Sequence, residues 1–123
     1  MLQLGKKQKL VIRKLKDFGA FLGEEEGEEE VLLPTRQVPE GAQIGDEVEV
    51  FLYRDSRDRM IATTASPRAQ VGEVALMNVV ECSPIGAFLD WGLEKDLFLP
   101  FREQTYPVKK DDRVLVTVYV DRP

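Results

Sequence analysis

An internal repeat spans almost the whole sequence and constrains the fold more than any other feature. Three segments recur in the same order with an offset of 66 or 67 residues: DFGAFL as PIGAFL (17–22 and 84–89), VLLP as LFLP (31–34 and 97–100), and GDEVEV as DDRVLV (45–50 and 111–116). This period exceeds the roughly 20–50 residues typical of solenoid and propeller repeats, so each copy should have a core of its own. The sequence therefore predicts two small tandem domains, residues 1–66 and 67–123.

Within each copy, apolar and polar residues alternate as they do in half-buried β-strands. Val48, Val50 and Leu52 follow this period of two, and so does the equivalent stretch of the second copy, residues 114–120. Gly19 and Ala20, small residues beside aromatic neighbours, mark a point where a strand bends or another backbone comes close. A long loop with Gly and Pro separates the third and fourth strands and holds at most one helical turn. Five short strands with such a loop predict an all-β chain of two tandem five-stranded OB-fold barrels.

The second copy stops before its fifth strand. In the first copy a polar turn at residues 55–58 leads to a closing strand near residues 60–64, whereas the second copy ends with residues 121–123. We therefore expect the second barrel to lack its last strand and the chain to be a fragment of a longer protein. Because unpaired strand edges are costly, something should fill the gap. The candidates are a strand from a neighbouring molecule (strand-mediated self-association), the N-terminal segment 1–5, or rearranged strands of the second copy.

The net charge of −5 alone argues against a nucleic-acid partner. However, the positive and negative residues are concentrated in separate runs, so the net charge says little about the local field. Six glutamates surround Gly27 in the segment 24–30, which we interpret as a solvated hairpin loop. A basic run with no acid precedes them: Lys6, Lys7, Lys9, Arg13, Lys14 and Lys16. Two interpretations of this run stay open, namely contact with phosphates or a solvated edge strand whose lysines discourage aggregation.

The sequence offers little for catalysis or for a cofactor. It contains no histidine, which excludes Ser-His-Asp and Cys-His systems, and Cys82 alone cannot hold zinc. We therefore predict a protein that is not an enzyme and uses no cofactor or metal. We expect Cys82 to be buried in a strand, and a single cysteine fits the reducing cytoplasm. No apolar run is long enough to span a membrane, so no membrane partner is expected.

Several segments resemble the S1 RNA-binding domain. In the first copy they are GAFL after a long first strand, GDEVEV, and Arg59 followed by Ala62 and Thr63. The tandem form resembles the conserved virulence factor B family more closely, through the second-copy segments AQVGE (69–73), IGAFLDWGL (85–93) and KDLFLPF (95–101). The resemblance implies a single-stranded RNA-binding module of the bacterial cytoplasm that regulates expression of virulence or other genes. The acidic hairpin leads us to expect weak binding.

The resemblance also implies which residues contact RNA. By position, Phe18 and Phe21 match the two stacking aromatics of the S1 motif, and Asp55 and Arg59 match its polar pair near the backbone. The histidine of that motif falls on Pro34.

The second copy keeps less of the motif. Phe88 matches the second aromatic, Ile85 replaces the first, and Asp121 has no arginine partner. Lys14 and Lys16 are the cations of the basic run that we expect to contact phosphates.

Some of these residues have a competing interpretation. Phe21 and Phe88 could equally be core residues of their barrels, whereas Phe18 is expected to be exposed. Trp91 is expected to cover a barrel end rather than to stack on a base. For the whole chain, the alternative function is a protein-interaction module that kept the S1 fold and lost the RNA site.

Overall fold

A computed structural model describes residues 2–55 and 57–120 of the 123-residue chain. In these residues the regular structure consists of strands and two short 3₁₀ turns. The chain divides into two compact units, Met1–Ser66 (unit 1) and Pro67–Pro123 (unit 2). Within the described ranges, no helix has the length and apolar character needed to cross a bilayer.

Unit 1 is a closed five-stranded barrel. Its strands are β1 (Lys7–Lys16), β2 (Gly19–Gly23), β3 (Val31–Pro34), β4 (Glu47–Arg54) and β5 (Met60–Thr63). They follow the order β1-β2-β3-β5-β4, and β4 closes on β1. The β3–β5 pair is parallel and the other pairs are antiparallel. A 3₁₀ turn, Thr35–Gln37, follows β3, in agreement with the one helical turn expected there.

Alternate residues of the strands fill the barrel of unit 1. Leu10, Ile12, Leu22, Val50 and Leu52 are almost fully buried and belong to one core cluster. Burying a side chain of this size contributes about 1.5–3 kcal/mol, as an upper estimate. The inward positions of Val50 and Leu52 read from the sequence of β4 are confirmed, but Phe51 between them is also buried, at 1% exposed, so the strict alternation of buried and exposed residues fails there.

The N-terminal segment packs on unit 1. Leu2 lies in the same core cluster, and the N–H of Gly5 donates to the carbonyl oxygen of Leu52 at 2.8 Å. The expectation that residues 1–5 could fill a gap in the second copy is therefore wrong for residues 2–5, because they complete the barrel of unit 1. Met1 lies outside the described residues.

The basic run lies on a strand with two neighbours. The N-terminal half of β1 pairs with β4, and its C-terminal half pairs with β2. Only Val11 pairs with both neighbours, since Lys7 and Lys9 pair with β4 alone and Lys14 and Lys16 pair with β2 alone. Both interpretations of the basic run therefore stay predictions.

A β-bulge at Arg13 interrupts the pairing of β1 with β2. Ile12 pairs with Leu22, but the next pair is Lys14 with Phe21, so Arg13 is an extra residue on β1. A bulge of this kind shifts the alternation of side chains by one residue. As a result, Lys14 rather than Arg13 lies opposite Phe21.

The backbone at Gly19 passes close to β3. Its φ is +150°, and a Cβ at this position would collide with the carbonyl oxygen of Leu33. Gly86 repeats both features in unit 2, with a φ of +156° and the carbonyl oxygen of Leu99 in the same place. Of the two alternatives for Gly19, a bend of the strand or a close approach of another backbone, the close approach is confirmed.

Unit 2 repeats the first four strands of unit 1. They are β6 (Val74–Ser83), β7 (Gly86–Asp90), β8 (Leu97–Pro100) and β9 (Arg113–Thr117), with a 3₁₀ turn, Phe101–Glu103, after β8. The sheet order is β8-β7-β6-β9. The bulge recurs at Val80, between the pairs made by Val79 and Glu81.

In the part of the chain that the structure describes, unit 2 has no counterpart of β5, and its sheet is open. The fold prediction is confirmed: the chain is all-β, with a closed five-stranded OB barrel followed by an OB unit that lacks its last strand. The option that unit 2 rearranges its strands is wrong, because its four strands keep the order of their counterparts. Asp121 lies outside the described residues.

The sequence analysis made predictions for two single residues of unit 2, the burial of Cys82 and the role of Trp91. Cys82 is exposed on β6, with its Sγ 3.5 Å from the carbonyl oxygen of Val108, so the prediction of a buried thiol is wrong. The strand continues past its bulge beyond the core, and Leu15, at the equivalent position of β1, is exposed as well. Trp91 is buried and donates its Nε1–H to the carbonyl oxygen of Lys95 at 2.7 Å, which excludes a stacking platform.

Candidate nucleic-acid interface

Two aromatic rings meet on the outside of unit 1 where β1 turns into β2. Phe18 lies in the turn and is 58% exposed, and Phe21 on β2 is half-buried. Their ring centroids are 5.9 Å apart at an interplanar angle of 83°, an edge-to-face arrangement. Neither ring belongs to the core cluster, so the interpretation of Phe21 as a core residue is wrong.

Hydrogen bonds from Thr35 hold this turn in place. The N–H of Thr35 donates to the carbonyl oxygen of Phe18 at 3.1 Å, and its hydroxyl donates to the carbonyl oxygen of Asp17 at 2.8 Å. The exposed ring of Phe18 therefore sits on a backbone that is tied to the 3₁₀ turn after β3.

A cation stands beside the aromatic pair. Lys14 lies opposite Phe21, and its Nζ is 5.9 Å from the centroid of the Phe21 ring, within the range of a cation–π contact. The same Nζ is 3.2 Å from Oε1 of Glu30, at the end of the acidic segment. Exposed pairs of this kind contribute at most about 1 kcal/mol, so a phosphate can replace Glu30 as the partner of Lys14.

Direct cross-strand partners continue this surface around the barrel. Phe21 pairs with Leu32 on β3, Leu32 with Ile61 on β5, and Ile61 with Tyr53 on β4. Residues opposite one another lie on the same face of a sheet, and these four are half-buried. We call Lys14, Phe21, Leu32, Ile61 and Tyr53 the outer row.

A polar pair lies in the β4–β5 turn. The carboxylate of Asp55 accepts hydrogen bonds from the backbone N–H groups of Arg57 and Arg59, both at 2.9 Å, and from Nε of Arg59 at 3.2 Å. The Nη2 of Arg59 also forms an ion pair with Asp55 at 3.1 Å. The bond from the Arg59 backbone N–H is the largest cause that holds the pKa of Asp55 below its ordinary value, against a smaller opposing effect of desolvation. The ionised carboxylate therefore orders the turn and orients Arg59.

Phe18 and this polar pair lie on opposite sides of the outer row along the strand direction, whereas Phe21 is a member of the row. Thr35, which bonds Phe18, is three residues after Leu32, whereas Arg59 is two residues before Ile61, the parallel partner of Leu32. Five residues of extended chain correspond to about 17 Å along the strand direction. The residues predicted from the sequence therefore do not form one cluster: Lys14 and Phe21 belong to the row, and Phe18 and Arg59 lie on opposite sides of it.

Several cations of β1 have partners within unit 1. The guanidinium of Arg13 donates to the carbonyl oxygen of Glu24, and the Nζ of Lys9 is 4.0 Å from Glu47. Lys16 is exposed at the end of β1, where it pairs with Gly19 beside the aromatic turn. Of the predicted cations, Lys14 and Lys16 are thus the two on the aromatic side.

The same surface of unit 2 has a different charge. Phe88 is half-buried outside the core, and its ring centroid is 5.3 Å from that of Phe98 on β8. The residue opposite Phe88 is Glu81, at the position that Lys14 holds in unit 1. Ile85 replaces the exposed aromatic of the turn. Unit 2 therefore combines aromatic rings with an acid that repels phosphate.

The sequence-based prediction missed the apolar members of the outer row. Leu32, Ile61 and Tyr53 lie on three different strands, and only the strand register brings them together. One signal was present, since Leu32 stands between the core residues Val31 and Leu33 and must point away from them.

The closed barrel and its outer row of aromatic, apolar and cationic side chains define a class of protein, a tandem OB-fold module. A family model described as the S1 domain matches residues 4–65 and again residues 71–123. The chain therefore belongs to the S1 domain family and contains two copies of the domain.

Two longer proteins are similar to this chain. The "Uncharacterized protein YitL" of Bacillus subtilis (strain 168) is 38% identical over 101 residues, which cover 77% of this chain and 33% of that protein. A crystal structure from Streptococcus pneumoniae TIGR4, described as a multidomain protein with nucleic acid binding domains, matches with a TM-score of 0.77 at 22% identity. It covers 97% of this chain and 42% of that one, and it shows the shared fold. The chain thus spans less than half the length of either protein.

Proposed function

We propose that this chain is a single-stranded RNA-binding module whose binding surface lies on unit 1. The observation that carries the proposal is the Phe18–Phe21 pair on the barrel wall, with the Lys14 ammonium 5.9 Å from the Phe21 ring. Single-stranded nucleic acids are held by aromatic rings that stack on bases and by cations that contact phosphates. The pair and its neighbouring cation supply both kinds of contact at one place.

The outer row supports a path for the bound strand. A base stacked on Phe18 or Phe21 would place the following nucleotides over Leu32 and Ile61, and the phosphates beyond them near Arg59. The distance of about 17 Å between the Phe18 turn and Arg59 can be spanned by several nucleotides. This number lies within the roughly 4–16 nucleotides that one OB fold contacts. Binding is expected to be weak, because internal acids already pair with the cations that a phosphate would use.

The setting of this activity is also a proposal. The Streptococcus pneumoniae neighbour is described as having nucleic acid binding domains, and the tandem segments resemble the conserved virulence factor B family. We infer that the chain acts in the bacterial cytoplasm as part of a regulatory protein that affects expression of virulence or other genes. Its role there is binding rather than catalysis.

Unit 2 favours a second candidate function, contact with a protein. Leu76 and Leu115 are cross-strand partners on β6 and β9 and are 44% and 70% exposed. Their counterparts in unit 1, Lys9 and Glu49, are a charged pair. An apolar pair in place of charges on an outer face is typical of a protein-binding surface. We propose that unit 2 contributes such a contact while unit 1 binds RNA.

Titration of the chain with a labelled single-stranded RNA of about 10 nucleotides tests the RNA-binding proposal. Phe18→Ala and Phe21→Ala should each weaken binding by roughly 1–3 kcal/mol, or about 5- to 160-fold. Tyr106→Ala removes an aromatic ring of unit 2 with the same 58% exposure as Phe18 and should leave the affinity unchanged. Single-stranded DNA and duplex RNA are titrated in parallel.

Circular dichroism and thermal melting of each variant separate loss of binding from loss of folding. Unchanged affinity in a folded Phe18→Ala protein contradicts the proposed site. Absence of binding to any single-stranded RNA at low salt contradicts the function itself and leaves protein interaction as the remaining candidate.

A further inference from the structure

Two acids of unit 2 stand at the positions that an ion pair occupies in unit 1. There, the Nζ of Lys14 is 3.2 Å from Glu30, the residue that precedes β3. The counterparts in unit 2 are Glu81, which lies opposite Phe88, and Asp96, which precedes β8. The cation of the pair has been replaced by a second acid, so the two negative side chains do not neutralise each other.

Neither of these carboxylates has a partner in the part of the chain that the structure describes. The side chains of Glu81 and Asp96 take part in no hydrogen bond and no ion pair there, although Lys95 adjoins Asp96 in sequence. Asp90, by contrast, has Arg68 at 3.9 Å. Glu81 is exposed and Asp96 is half-buried. Both can therefore accept a cation from a ligand.

Two aromatic rings accompany the acids. Phe88 lies opposite Glu81 on one side and opposite Phe98 on the other, and the two ring centroids are 5.3 Å apart. Phe98 is 40% exposed, and its counterpart in unit 1 is Leu32, so the second ring exists in unit 2 alone. The face of an aromatic ring attracts cations. Rings and acids together thus favour a positively charged ligand.

Unit 1 shows how a cation is held at this place. The Lys14 ammonium is 5.9 Å from the centroid of the Phe21 ring, and the Glu30 carboxylate is its ion-pair partner. Unit 2 keeps a ring and an acid at the equivalent positions but has no lysine there. A ligand cation beside Phe88 would restore the arrangement that unit 1 makes with its own side chain.

This surface does not depend on where unit 2 ends. The sheet order is β8-β7-β6-β9, so Glu81 on β6 and Phe88 on β7 belong to the two central strands. It also differs from the Leu76–Leu115 pair, which lies where β6 pairs with β9. The open edge therefore contributes neither the acid nor the first ring.

We propose that the surface formed by Glu81, Phe88, Asp96 and Phe98 binds an arginine side chain in a basic segment of a protein partner. The guanidinium is planar and weakly hydrated, stacks on aromatic rings and presents five N–H donors in a fixed fork. One such group can contact a ring and carboxylates at the same time. A phosphate is repelled by the same acids, so this surface disfavours the ligand proposed for unit 1.

The turn next to the surface indicates that the cation is carried by a polypeptide. Ile85 takes the place of Phe18 in the turn before β7 and is 66% exposed. An apolar residue beside the arginine of the partner would cover Ile85, whereas a free polyamine has no group for this contact. The inference goes beyond the proposed function, because it uses neither RNA binding by unit 1 nor the Leu76–Leu115 pair.

The test titrates the ¹⁵N-labelled full chain with two capped peptides. One is Gly-Val-Arg-Val-Gly, and the other has citrulline in place of arginine, which keeps the shape and removes the charge. We expect the arginine peptide to shift the amide signals of Glu81, Phe88 and Asp96. The citrulline peptide should bind about fivefold more weakly or not at all, because it makes no cation–π contact and no ion pair.

Variants of the chain locate the effect. Glu81→Gln should weaken binding of the arginine peptide about threefold or more, and Glu81→Lys should abolish it, because a lysine then takes the place of the ligand cation. Phe98→Leu should weaken binding about twofold or more, since one ring is lost. Glu40→Gln makes the same charge change as Glu81→Gln in unit 1 and should leave the affinity unchanged. Thermal melting verifies that each variant is folded.

Several outcomes overturn the proposal. They are equal binding of the two peptides, equal losses in Glu81→Gln and Glu40→Gln, and no shift of the three amides at millimolar arginine peptide. The proposal also fails if spermidine binds as tightly as the peptide, since charge alone would then suffice. If single-stranded RNA shifts the same amides more strongly, the surface binds RNA instead. RNA binding by unit 1 is observed separately, at the amides of Phe18 and Phe21.

Discussion

The ammonium of Lys14 lies 5.9 Å from the centre of the Phe21 ring, and the two residues face each other across β1 and β2. In unit 2 the same two positions hold Glu81 and Phe88. The ring is kept and the charge is inverted, so the two units present opposite local fields to a phosphate. One fold thus presents different side-chain charges at equivalent positions of a single chain.

Replacing Lys14 by glutamate gives unit 1 the charge that unit 2 has at this position. RNA affinity should fall by roughly fivefold or more, because attraction to a phosphate becomes repulsion beside Phe21. Fluorescence anisotropy at low salt measures the loss. Lys110→Glu makes the same change of net charge in unit 2, and equal losses in both variants would show that only the total charge matters.

Replacing Glu30 by glutamine removes the carboxylate that lies 3.2 Å from the Lys14 ammonium. We expect affinity for single-stranded RNA to rise by about two- to fivefold, the size of a surface ion pair. The slope of log K against log salt should steepen by about 0.7 if one more phosphate is neutralised. Glu40→Gln makes the same charge change in the β3–β4 loop, and a similar rise in that variant contradicts a local effect of Glu30.

Asp55 should titrate below the ordinary aspartate pKa of about 3.9. The backbone N–H of Arg59 is the largest cause, so Arg59→Ala should leave the pKa of Asp55 depressed although the guanidinium is gone. Because folding lowers this pKa, the contribution of Asp55 to stability is present above about pH 4 and is lost as the pH falls through the folded value. Carboxyl chemical shifts measured against pH test this, and a return to the ordinary value in the variant contradicts it.

Gly19→Ala should destabilise unit 1 by at least about 1–3 kcal/mol. The new Cβ meets the carbonyl oxygen of Leu33, and the φ of +150° is unfavourable for alanine. Gly27→Ala is the matched control, since the nearest atoms there belong to the flexible side chain of Glu24, and its effect should stay within about 0.5 kcal/mol. Urea unfolding measures both, and equal stabilities would show that β2 and β3 tolerate a side chain at Gly19.

Local pattern was sufficient for much of the fold. The repeat, the inward positions of Val48, Val50 and Leu52 in β4 and the glycine at the close approach of β2 to β3 are all visible along one stretch of chain, and each was predicted correctly. The burial of Cys82 was predicted wrongly, because burial at the end of a strand depends on where the core stops. The division of β1 between its two partners, β4 for its first half and β2 for its second, was not predicted, since strand order depends on partners that are distant in sequence.

The candidate site, like the fold, was predictable from the sequence only in part. The exposure of Phe18 follows from its own neighbours in the turn, but the residue opposite Phe21 does not. Without the bulge at Arg13, pairing continued from Ile12 would have placed Arg13 opposite Phe21 and turned Lys14 to the other face. Strand register is a property of two paired strands and cannot be read from the sequence of either strand alone. Strand pairing in three dimensions therefore selected the cation beside the ring and the apolar residues that continue the row.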